Sequence, residues 1–157
     1  MKIAIGSDFA GYPLKETLKA YLIGLGHEVD DFGCNDPADM TPYYKPAAAI
    51  AQKVQDGVYE KAVLCCGTGA GVCMVANKFK GVYAVSCEGV YTAGRAAVIN
   101  DANIITFGER VIGSGQACEA VSAWLKLEYL EGFPVERHGF LRDAFKEVQK
   151  IEANNFK

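Results

Sequence analysis

The feature that most constrains the fold of this chain is a regular alternation of short β-rich runs with helical patterns. Five such runs predict strands, at residues 2–7, 27–32, 61–66, 82–87 and 103–107. Strands that alternate with helices are typical of a parallel sheet covered on both faces. The sequence therefore predicts a three-layer, doubly wound (Rossmann-like) α/β fold with a five-stranded parallel sheet and a C-terminal helical tail.

Helical patterns fill the segments between the predicted strands. They lie at about residues 13–25, in a segment that ends near residue 57, and at about residues 72–79, 90–98 and 115–130. A tail from residue 132 contains a last predicted helix at about residues 141–153. A chain of 157 residues is long enough for one substantial core. We therefore expect a single domain over residues 1–157.

Composition argues against several classes of protein. The formal net charge of −3 disfavours a nucleic-acid partner, because phosphate backbones are bound by clustered Lys and Arg. No apolar run approaches the roughly 20 residues that span a bilayer, and the N-terminus shows no signal-peptide pattern. We therefore expect a cytoplasmic protein without a membrane partner. The six cysteines show no zinc-binding spacing, and we expect reduced thiols and no metal ion.

The candidate chemistry follows the third predicted strand. In doubly wound sheets, ligands bind outside the carboxyl ends of the strands. The segment there is Cys66-Gly67-Thr68-Gly69-Ala70-Gly71, whose three glycines let backbone N–H groups converge on an anion at a helix start. A thiolate at Cys66 is favoured in such surroundings. It would abstract a proton next to a carbonyl while the N–H groups hold the oxyanion that forms.

Spacing alone leaves other interpretations open. A glycine-rich turn after a strand often serves tight packing or nucleotide binding, and a cysteine at a strand end is often a small buried hydrophobe. Asp8, after the first strand, would then only cap a turn. Arg110, Arg137 and Arg142 would be ordinary surface arginines. At this level the sequence predicts an α/β enzyme with an anion site.

Three blocks of the sequence resemble one known family. Gly6-Ser7-Asp8-Phe9-Ala10-Gly11, followed by Leu14-Lys15, resembles the opening of the type B ribose-5-phosphate isomerases and the galactose-6-phosphate isomerases. Residues 66–71 with 76–78 and Gly81, and residues 100–103 with 108–113, are similar to that family in order and spacing. The resemblance covers about residues 1–145. It implies a cofactor-independent aldose–ketose isomerase that acts on a phosphorylated sugar of the ribose 5-phosphate type through a cis-enediolate.

The resemblance also implies roles for individual residues. Cys66 would move the proton between C1 and C2, and Thr68 would help to move protons between the substrate oxygens. Backbone N–H groups of residues 67–71 would form the oxyanion hole, Asp8 and Asn100 would bind sugar hydroxyls, and three arginines would hold the phosphate. The substrate-binding residues implied are Asp8, Phe9, Gly67, Gly69, Ala70, Gly71, Asn100, Arg110, Arg137 and Arg142.

Family members are homodimers or dimers of dimers with shared active sites. The tail at about residues 132–157 carries Arg137 and Arg142, so the resemblance implies that it contacts a partner subunit. This tail also departs from the family's usual pattern, because its arginine motif is stretched over residues 131–142.

Other departures affect ring opening. The family's histidine after Asp8 is Phe9, and the histidine before Asn100, which opens the sugar ring, is Ile99. The usual Asp-Tyr-Pro segment is altered at residues 41–46 and lacks its acidic residue. Neither Phe9 nor Ile99 can transfer a proton, so acid–base help for ring opening is absent there. His138 in the tail would supply an imidazole instead, or it is a surface histidine.

These departures leave alternatives to pentose phosphate isomerisation, namely isomerisation of a linear tetrose or tetrulose phosphate or of another non-pentose sugar phosphate. A linear tetrose or tetrulose phosphate needs no ring opening, because its esterified O4 cannot close a five-membered ring. Phe9 and Tyr43 would shrink or dry the pocket, in keeping with a shorter sugar. A non-catalytic sugar-phosphate-binding subunit is an alternative of another class. A nucleotide- or flavin-binding protein of the same architecture is a third.

Overall fold

The computed structural model of the chain describes residues 1–156, and of Pro37 only the backbone. The strands are β1 (Lys2–Ser7), β2 (Glu28–Asp31), β3 (Lys61–Cys66), β4 (Ala84–Ser86) and β5 (Ile104–Gly108). The helices are α1 (Tyr12–Gly24), α2 (Tyr44–Gln55), α3 (Ala70–Ala76), α4 (Val90–Val98), α5 (Ser114–Lys126) and α6 (Val135–Asn155), with a short 3-10 helix, Pro37–Asp39, before α2. The strands form one parallel sheet in the order β2-β1-β3-β5-β4, which confirms the predicted fold class.

The direction of each crossover determines which face of the sheet its helix covers. Right-handed crossovers that run in opposite directions along a sheet place their helices on opposite faces. One core accordingly joins the sheet to α1, α4 and α5 and includes Ile5 and Trp124. A second core joins it to α2 and α3 and includes Ile50 and Leu64. The direction changes between β1 and β3, so the switch point lies where these two strands end.

The last helix differs most from the sequence prediction. It begins at Val135, six residues before the expected start, and runs to Asn155. Pro134 directly precedes it. At this position the backbone N–H has no partner within the helix, so proline, which lacks an N–H, costs the helix no hydrogen bond. From the sequence alone, Gly139 favours a loop before residue 141, because a glycine inside a helix costs about 1 kcal/mol relative to alanine. Among the described residues, no helix is both long and apolar enough to cross a membrane, and this includes α6.

Two smaller differences concern the site and the sheet edge. The predicted turn at residues 67–71 is shorter than expected, because α3 starts at Ala70 and includes Gly71. The predicted strand at residues 82–87 shortens to Ala84–Ser86, because β4 is an edge strand that pairs only with β5.

A fully buried lysine fixes the chain that passes the carboxyl end of β1. The Lys15 Nζ donates to Asp31 Oδ2 and to the Cys34 carbonyl, each at 2.7 Å. The Cys34 N–H in turn donates to the Ser7 carbonyl at 2.8 Å. A Cβ on Gly33 would lie 2.3 Å from the Ser7 nitrogen, so this turn lies directly against β1. The Lys15 ammonium therefore stabilises the backbone next to the switch point.

Replacing Lys15 by Met should lower the free energy of unfolding by about 2–4 kcal/mol. The substitution removes the fully buried donor that the buried Cys34 carbonyl shares with the Asp31 carboxylate, which keeps its contacts with Lys19 and with the Gly33 N–H. Lys19→Met is the matched control, because Lys19 Nζ also contacts Asp31 Oδ2, at 2.8 Å, but its side chain is 30% exposed. The control should lose less than about 1 kcal/mol. Urea denaturation at pH 7 measures both values, and equal losses would contradict the role given to Lys15.

Candidate active site

Cys66 occupies the last position of β3, at the switch point of the sheet. Its side chain is 4% exposed, and its Sγ accepts a hydrogen bond from the Gly69 N–H at 3.0 Å. Gly69 has φ of +80°, a left-handed conformation that glycine adopts without strain and that turns the loop back toward the strand. The loop therefore supplies a backbone donor to the sulfur, and such a donor stabilises a thiolate.

Close backbone approaches on both sides hold this loop in place. A Cβ on Gly11 would lie 2.6 Å from the carbonyl carbon of Cys65 and from the Cys66 nitrogen. A Cβ on Gly108 would lie 2.5 Å from the carbonyl carbon of Thr68. Both distances are too short for any side chain, so the segment after β1 and the end of β5 clamp the loop after β3.

Hydrogen bonds from β5 complete this clamp. The buried Thr106 hydroxyl donates to the Gly69 carbonyl at 2.8 Å. The Glu109 N–H donates to the Cys66 carbonyl at 2.9 Å, and the Arg110 N–H donates to the Gly67 carbonyl at 3.1 Å. The loop carbonyls are thus bonded to β5 and to the turn after it. This arrangement also brings Arg110, which is exposed, to the same edge of the sheet as Cys66.

Asp8 lies beside the loop, directly after β1. Its side chain is buried, and Oδ1 accepts the Gly11 N–H at 2.8 Å. Burial raises the pKa of Asp8, while the Gly11 N–H and the positive charge of Arg110 act in the opposite direction. The sequence-predicted residues Asp8 and Arg110 are therefore brought together with Cys66.

Two aromatic residues adjoin this edge. The Phe9 N–H donates to the Thr41 carbonyl at 3.3 Å, which ties the turn after β1 to the segment before α2. Tyr43, in that segment, lies so close to Gly71 that a Cβ there would be 3.1 Å from its ring. An aromatic ring thus lies against the start of α3, next to the loop. Phe9 itself is half-buried.

The other thiols differ from Cys66 in their surroundings. Cys65 points to the opposite face of the sheet, as the strand alternation predicts, and is fully buried. Burial raises the pKa values of Cys65, Cys73 and Cys118, and it raises that of Cys87 to about 12. Burial therefore disfavours a thiolate at these four positions. The Cys34 Sγ donates to the Asp36 carbonyl at 2.9 Å, whereas the Cys66 Sγ accepts the Gly69 N–H, so Cys66 is the candidate base.

Asn100 does not join Cys66 within one chain. It precedes β5 and therefore lies at the amino edge of the sheet, whereas Cys66 lies at the carboxyl edge. The five residues of β5 separate the two edges by about 16 Å. Asn100 instead lines a cavity of about 180 Å³ together with Tyr83 and Phe145.

The arginines of the tail also lie away from Cys66. Arg137 and Arg142 are both exposed on α6. Arg137 lines a cavity of about 320 Å³ with Phe133, which packs against the core of α1, α4 and α5, on the face that Cys66 does not share. We call Asn100, Arg137 and Arg142 the remote set. The carboxyl-edge set comprises Asp8, Phe9, residues 66–71 and Arg110.

The two residues considered for ring opening are engaged elsewhere. Ile99 is partly buried against the core of α1, α4 and α5. The His138 Nε2 lies 2.9 Å from the Phe133 carbonyl, within the start of its own tail. Neither side chain faces Cys66 in the chain that the structure describes.

Sequence reasoning gave no role to two residues that shape the site, although Gly108 lies in the block at residues 108–113 that carries the resemblance. Thr106 and Gly108 both belong to β5, and both fix the loop after β3. The available signal was weak: a single hydroxyl inside an apolar strand, and a glycine at its end. Either feature is compatible with ordinary packing until it is known that β3 is the neighbouring strand.

Together, the fold and the site define an α/β protein with a buried, hydrogen-bonded cysteine at the switch point of a parallel sheet. A sequence model of the Ribose/Galactose Isomerase family matches residues 3–139. The chain therefore belongs to this family of sugar-phosphate aldose–ketose isomerases, and the resemblance noted in the sequence is confirmed.

Three relatives show how far the similarity extends. The 4-deoxy-4-sulfo-D-erythrose isomerase of Clostridium sp. (strain MSTE9) is 44% identical over 157 residues, which cover 100% of this chain and 99% of the relative. The D-erythrulose-4-phosphate isomerase of Pectobacterium atrosepticum is 41% identical over 133 residues, 84% of this chain and 87% of the relative. The solved structure of Clostridium thermocellum ribose-5-phosphate isomerase B superposes with a TM-score of 0.89 at 35% identity, covering 98% of this chain and 99% of that one.

The clamp on the loop can be tested with two glycine substitutions. Gly108→Ala should lower the free energy of unfolding by about 1–3 kcal/mol, because its Cβ meets the Thr68 backbone, which cannot rotate away. Gly67→Ala is the control in the same loop, because the only atom within 4 Å of its Cβ would be the Ala10 Cβ, at 3.7 Å. Chemical denaturation compares the two variants. A smaller loss for Gly108→Ala than for Gly67→Ala would refute the clamp.

Proposed function

We propose that this chain interconverts the aldose and ketose forms of a linear four-carbon sugar with a terminal anion, with Cys66 as the base. The observation that carries the proposal is the hydrogen bond from the Gly69 N–H to the Cys66 Sγ, at 3.0 Å, at the switch point of the sheet. A thiolate prepared in this way suits proton abstraction beside a carbonyl.

The reaction moves one proton between two carbons. The Cys66 thiolate takes the proton from C2 of the aldose, and the electron pair of the broken C–H bond forms the C1–C2 double bond of a cis-enediolate. The carbonyl electrons move onto O1, where backbone N–H groups of the loop stabilise the negative charge. The Thr68 hydroxyl relays a proton from O2 to O1. The Cys66 thiol then returns its proton to C1, which yields the ketose without a net change in oxidation state.

The other members of the carboxyl-edge set orient the substrate in this proposal. Asp8, with its buried carboxyl group, hydrogen-bonds a sugar hydroxyl. Arg110 faces the terminal anion. Phe9 and Tyr43 limit the length of the site and exclude water from it, which fits a short sugar. The chain retains the Cys66 thiol and the Gly69 N–H that donates to it. A non-catalytic subunit would need neither group, so both argue against that alternative.

A linear substrate fits the loss of imidazole groups. Phe9 cannot exchange a proton, and Ile99 packs into the core. A four-carbon aldose that carries a phosphate on O4 cannot close a five-membered ring. One with a C–S bond at C4 has no hydroxyl there at all. Such sugars present their carbonyl group directly, so the chemistry of ring opening is unnecessary.

Between the two anions we favour the sulfonate. The relative named for 4-deoxy-4-sulfo-D-erythrose matches all 157 residues and therefore includes the tail with Arg137 and Arg142. The relative named for D-erythrulose 4-phosphate matches 133 residues. Both sugars are linear tetroses with a tetrahedral terminal oxyanion, so they share the proposed reaction and differ in the charge of the anion.

A second copy of the chain completes the site in this proposal. The remote set lies far from Cys66 within one chain, yet it contains the amide and the arginines that suit sugar hydroxyls and a terminal anion. Two copies related by a two-fold axis would each bring their remote set to the carboxyl-edge set of the other. The assembly would be a dimer or a dimer of dimers with shared sites.

Turnover on a panel of sugars tests the substrate class. We expect the highest kcat/KM on 4-deoxy-4-sulfo-erythrose or its ketose, lower values on D-erythrulose 4-phosphate, and at least about 10-fold lower values on ribose 5-phosphate and galactose 6-phosphate. A coupled or NMR assay of aldose–ketose conversion gives these numbers. Fastest turnover of ribose 5-phosphate would end the linear-substrate proposal and favour the pentose phosphate alternative.

Mixing two inactive variants tests the base and the shared site together. Cys66→Ser should lose at least about 10³-fold in kcat, because a serine hydroxyl is a far weaker acid than a thiol. Arg142→Ala should be strongly impaired at low substrate concentration. Because each hybrid dimer would contain one intact site, an equal mixture after subunit exchange should recover about one quarter of wild-type activity. Recovery that never exceeds the two variants alone would show that each site lies within one chain.

A further inference from the structure

The last helix is attached to its own chain by an unusual set of contacts. α6 has 21 residues, and none of them is buried. Four of its side chains are partly buried and follow helical spacing along one stripe: His138, Leu141, Phe145 and Glu152. This stripe faces the rest of the chain. A helix without a buried residue derives little stability from apolar packing, so individual polar and aromatic contacts determine its position.

Glu152 makes the contacts nearest to the end of the helix. Its Oε1 accepts the Gly81 N–H at 2.7 Å, and its Oε2 accepts the Tyr83 hydroxyl at 3.1 Å. The Tyr83 ring also packs edge-on against the Phe145 ring, with centroids 4.9 Å apart. We call Gly81, Tyr83, Phe145 and Glu152 the tail latch. It binds both ends of a two-turn segment of α6 to the residues that precede β4.

The residues on the sheet side of the latch are themselves held firmly. Asn103 Oδ1 accepts the Tyr83 N–H at 2.8 Å, and its Nδ2 donates to the Gly81 carbonyl at 2.7 Å. Gly81 has φ of +74°, which directs its N–H outward to the carboxylate. Burial and the nearby Glu152 carboxylate raise the pKa of Tyr83, so its hydroxyl stays a donor at neutral pH. The latch is therefore a preformed receptor for one carboxylate.

From this geometry we infer that Glu152 is a positioning residue that sets where Arg137 and Arg142 meet the substrate anion. The inference rests on the proposed function, in which these arginines bind the anion in the site of the second copy. Glu152 touches no substrate. It acts through the rigid helix that carries both arginines.

The distances along α6 show how a displacement of Glu152 would reach the arginines. Phe145 is packed between Tyr83 and Tyr129, and the Tyr129 hydroxyl donates to the Leu141 carbonyl at 3.1 Å, so this turn of the helix serves as the pivot. Glu152 lies about 10 Å from it along the helix axis, and Arg137 lies about 12 Å away on the other side. A shift of about 1 Å at Glu152 therefore moves the Arg137 end by a similar distance in the opposite direction. Displacements of this size are large for a bidentate contact between a guanidinium group and an oxyanion.

The test compares Glu152→Ala with Glu152→Gln in the full-length protein. Loss of the carboxylate in Glu152→Ala should raise KM for the preferred tetrose about 10-fold while kcat stays within about twofold, since uniform binding is lost but the Cys66 chemistry is not. Glu152→Gln keeps an acceptor for the Gly81 N–H and should recover most of the loss. Glu147→Ala is the control, because Glu147 lies on the same helix and its side chain forms an ion pair with Lys150.

A second measurement separates this inference from the proposed function. Isothermal titration calorimetry with inorganic sulfate as the ligand should show about 10-fold weaker binding to Glu152→Ala than to wild type or to Glu147→Ala. This measurement needs no turnover, so it remains decisive if every tetrose fails as a substrate. Unchanged KM and sulfate affinity in Glu152→Ala would overturn the inference. A fall in kcat without a rise in KM would do the same, because it would mean that Glu152 acts on the fold or on Cys66.

Discussion

The hydrogen bond between the Gly69 N–H and the Cys66 Sγ depends on backbone packing that leaves no room for a side chain. Gly11 approaches the backbone of Cys66 from one side, and Gly108 approaches the loop from the other. Because β1, β3 and β5 are neighbours that end at the same edge, the loop after β3 cannot move without displacing two other chain segments. The donor is therefore oriented before any substrate arrives, which is the condition under which a fixed dipole stabilises a developing charge most effectively.

The parts of this arrangement that the sequence predicts well are those governed by local pattern. The bounds of β1 and β3 agree with the expectation, because both are nearly continuous apolar runs that end in glycine-containing turns. The rule that ligands bind at the carboxyl ends of strands then places Asp8, Cys66 and Arg110 together. The start of α6 was predicted wrongly for the opposite reason. No residue of this helix is buried, so the apolar periodicity that marks a helix is diluted.

Other parts of the site depend on contacts between distant segments, and no local pattern encodes them. The Thr106 hydroxyl reaches the Gly69 carbonyl only because β5 lies next to β3, although 37 residues separate the two in sequence. Asn100 and the tail arginines were assigned through the resemblance alone. Their sequence positions do not reveal that about 16 Å of sheet separates Asn100 from Cys66 in one chain. The spatial separation of the two sets is the reason for proposing a site between two copies.

In the proposed site, this separation also assigns proton transfer and substrate selection to different groups of residues. Proton transfer between C1 and C2 is the same for every aldose, and in the proposed mechanism it takes place at the rigid edge of the sheet. Chain length and terminal anion vary between substrates, and the groups that would sense them lie on Tyr43, Phe9 and the tail. No residue of α6 is buried, and the family match ends at residue 139, near the start of this helix. A helix held by a few polar and aromatic contacts can be repositioned by substitutions that leave the core and the thiol loop intact. Changes of substrate within this architecture are therefore expected to concentrate in α6 and in the residues that hold it.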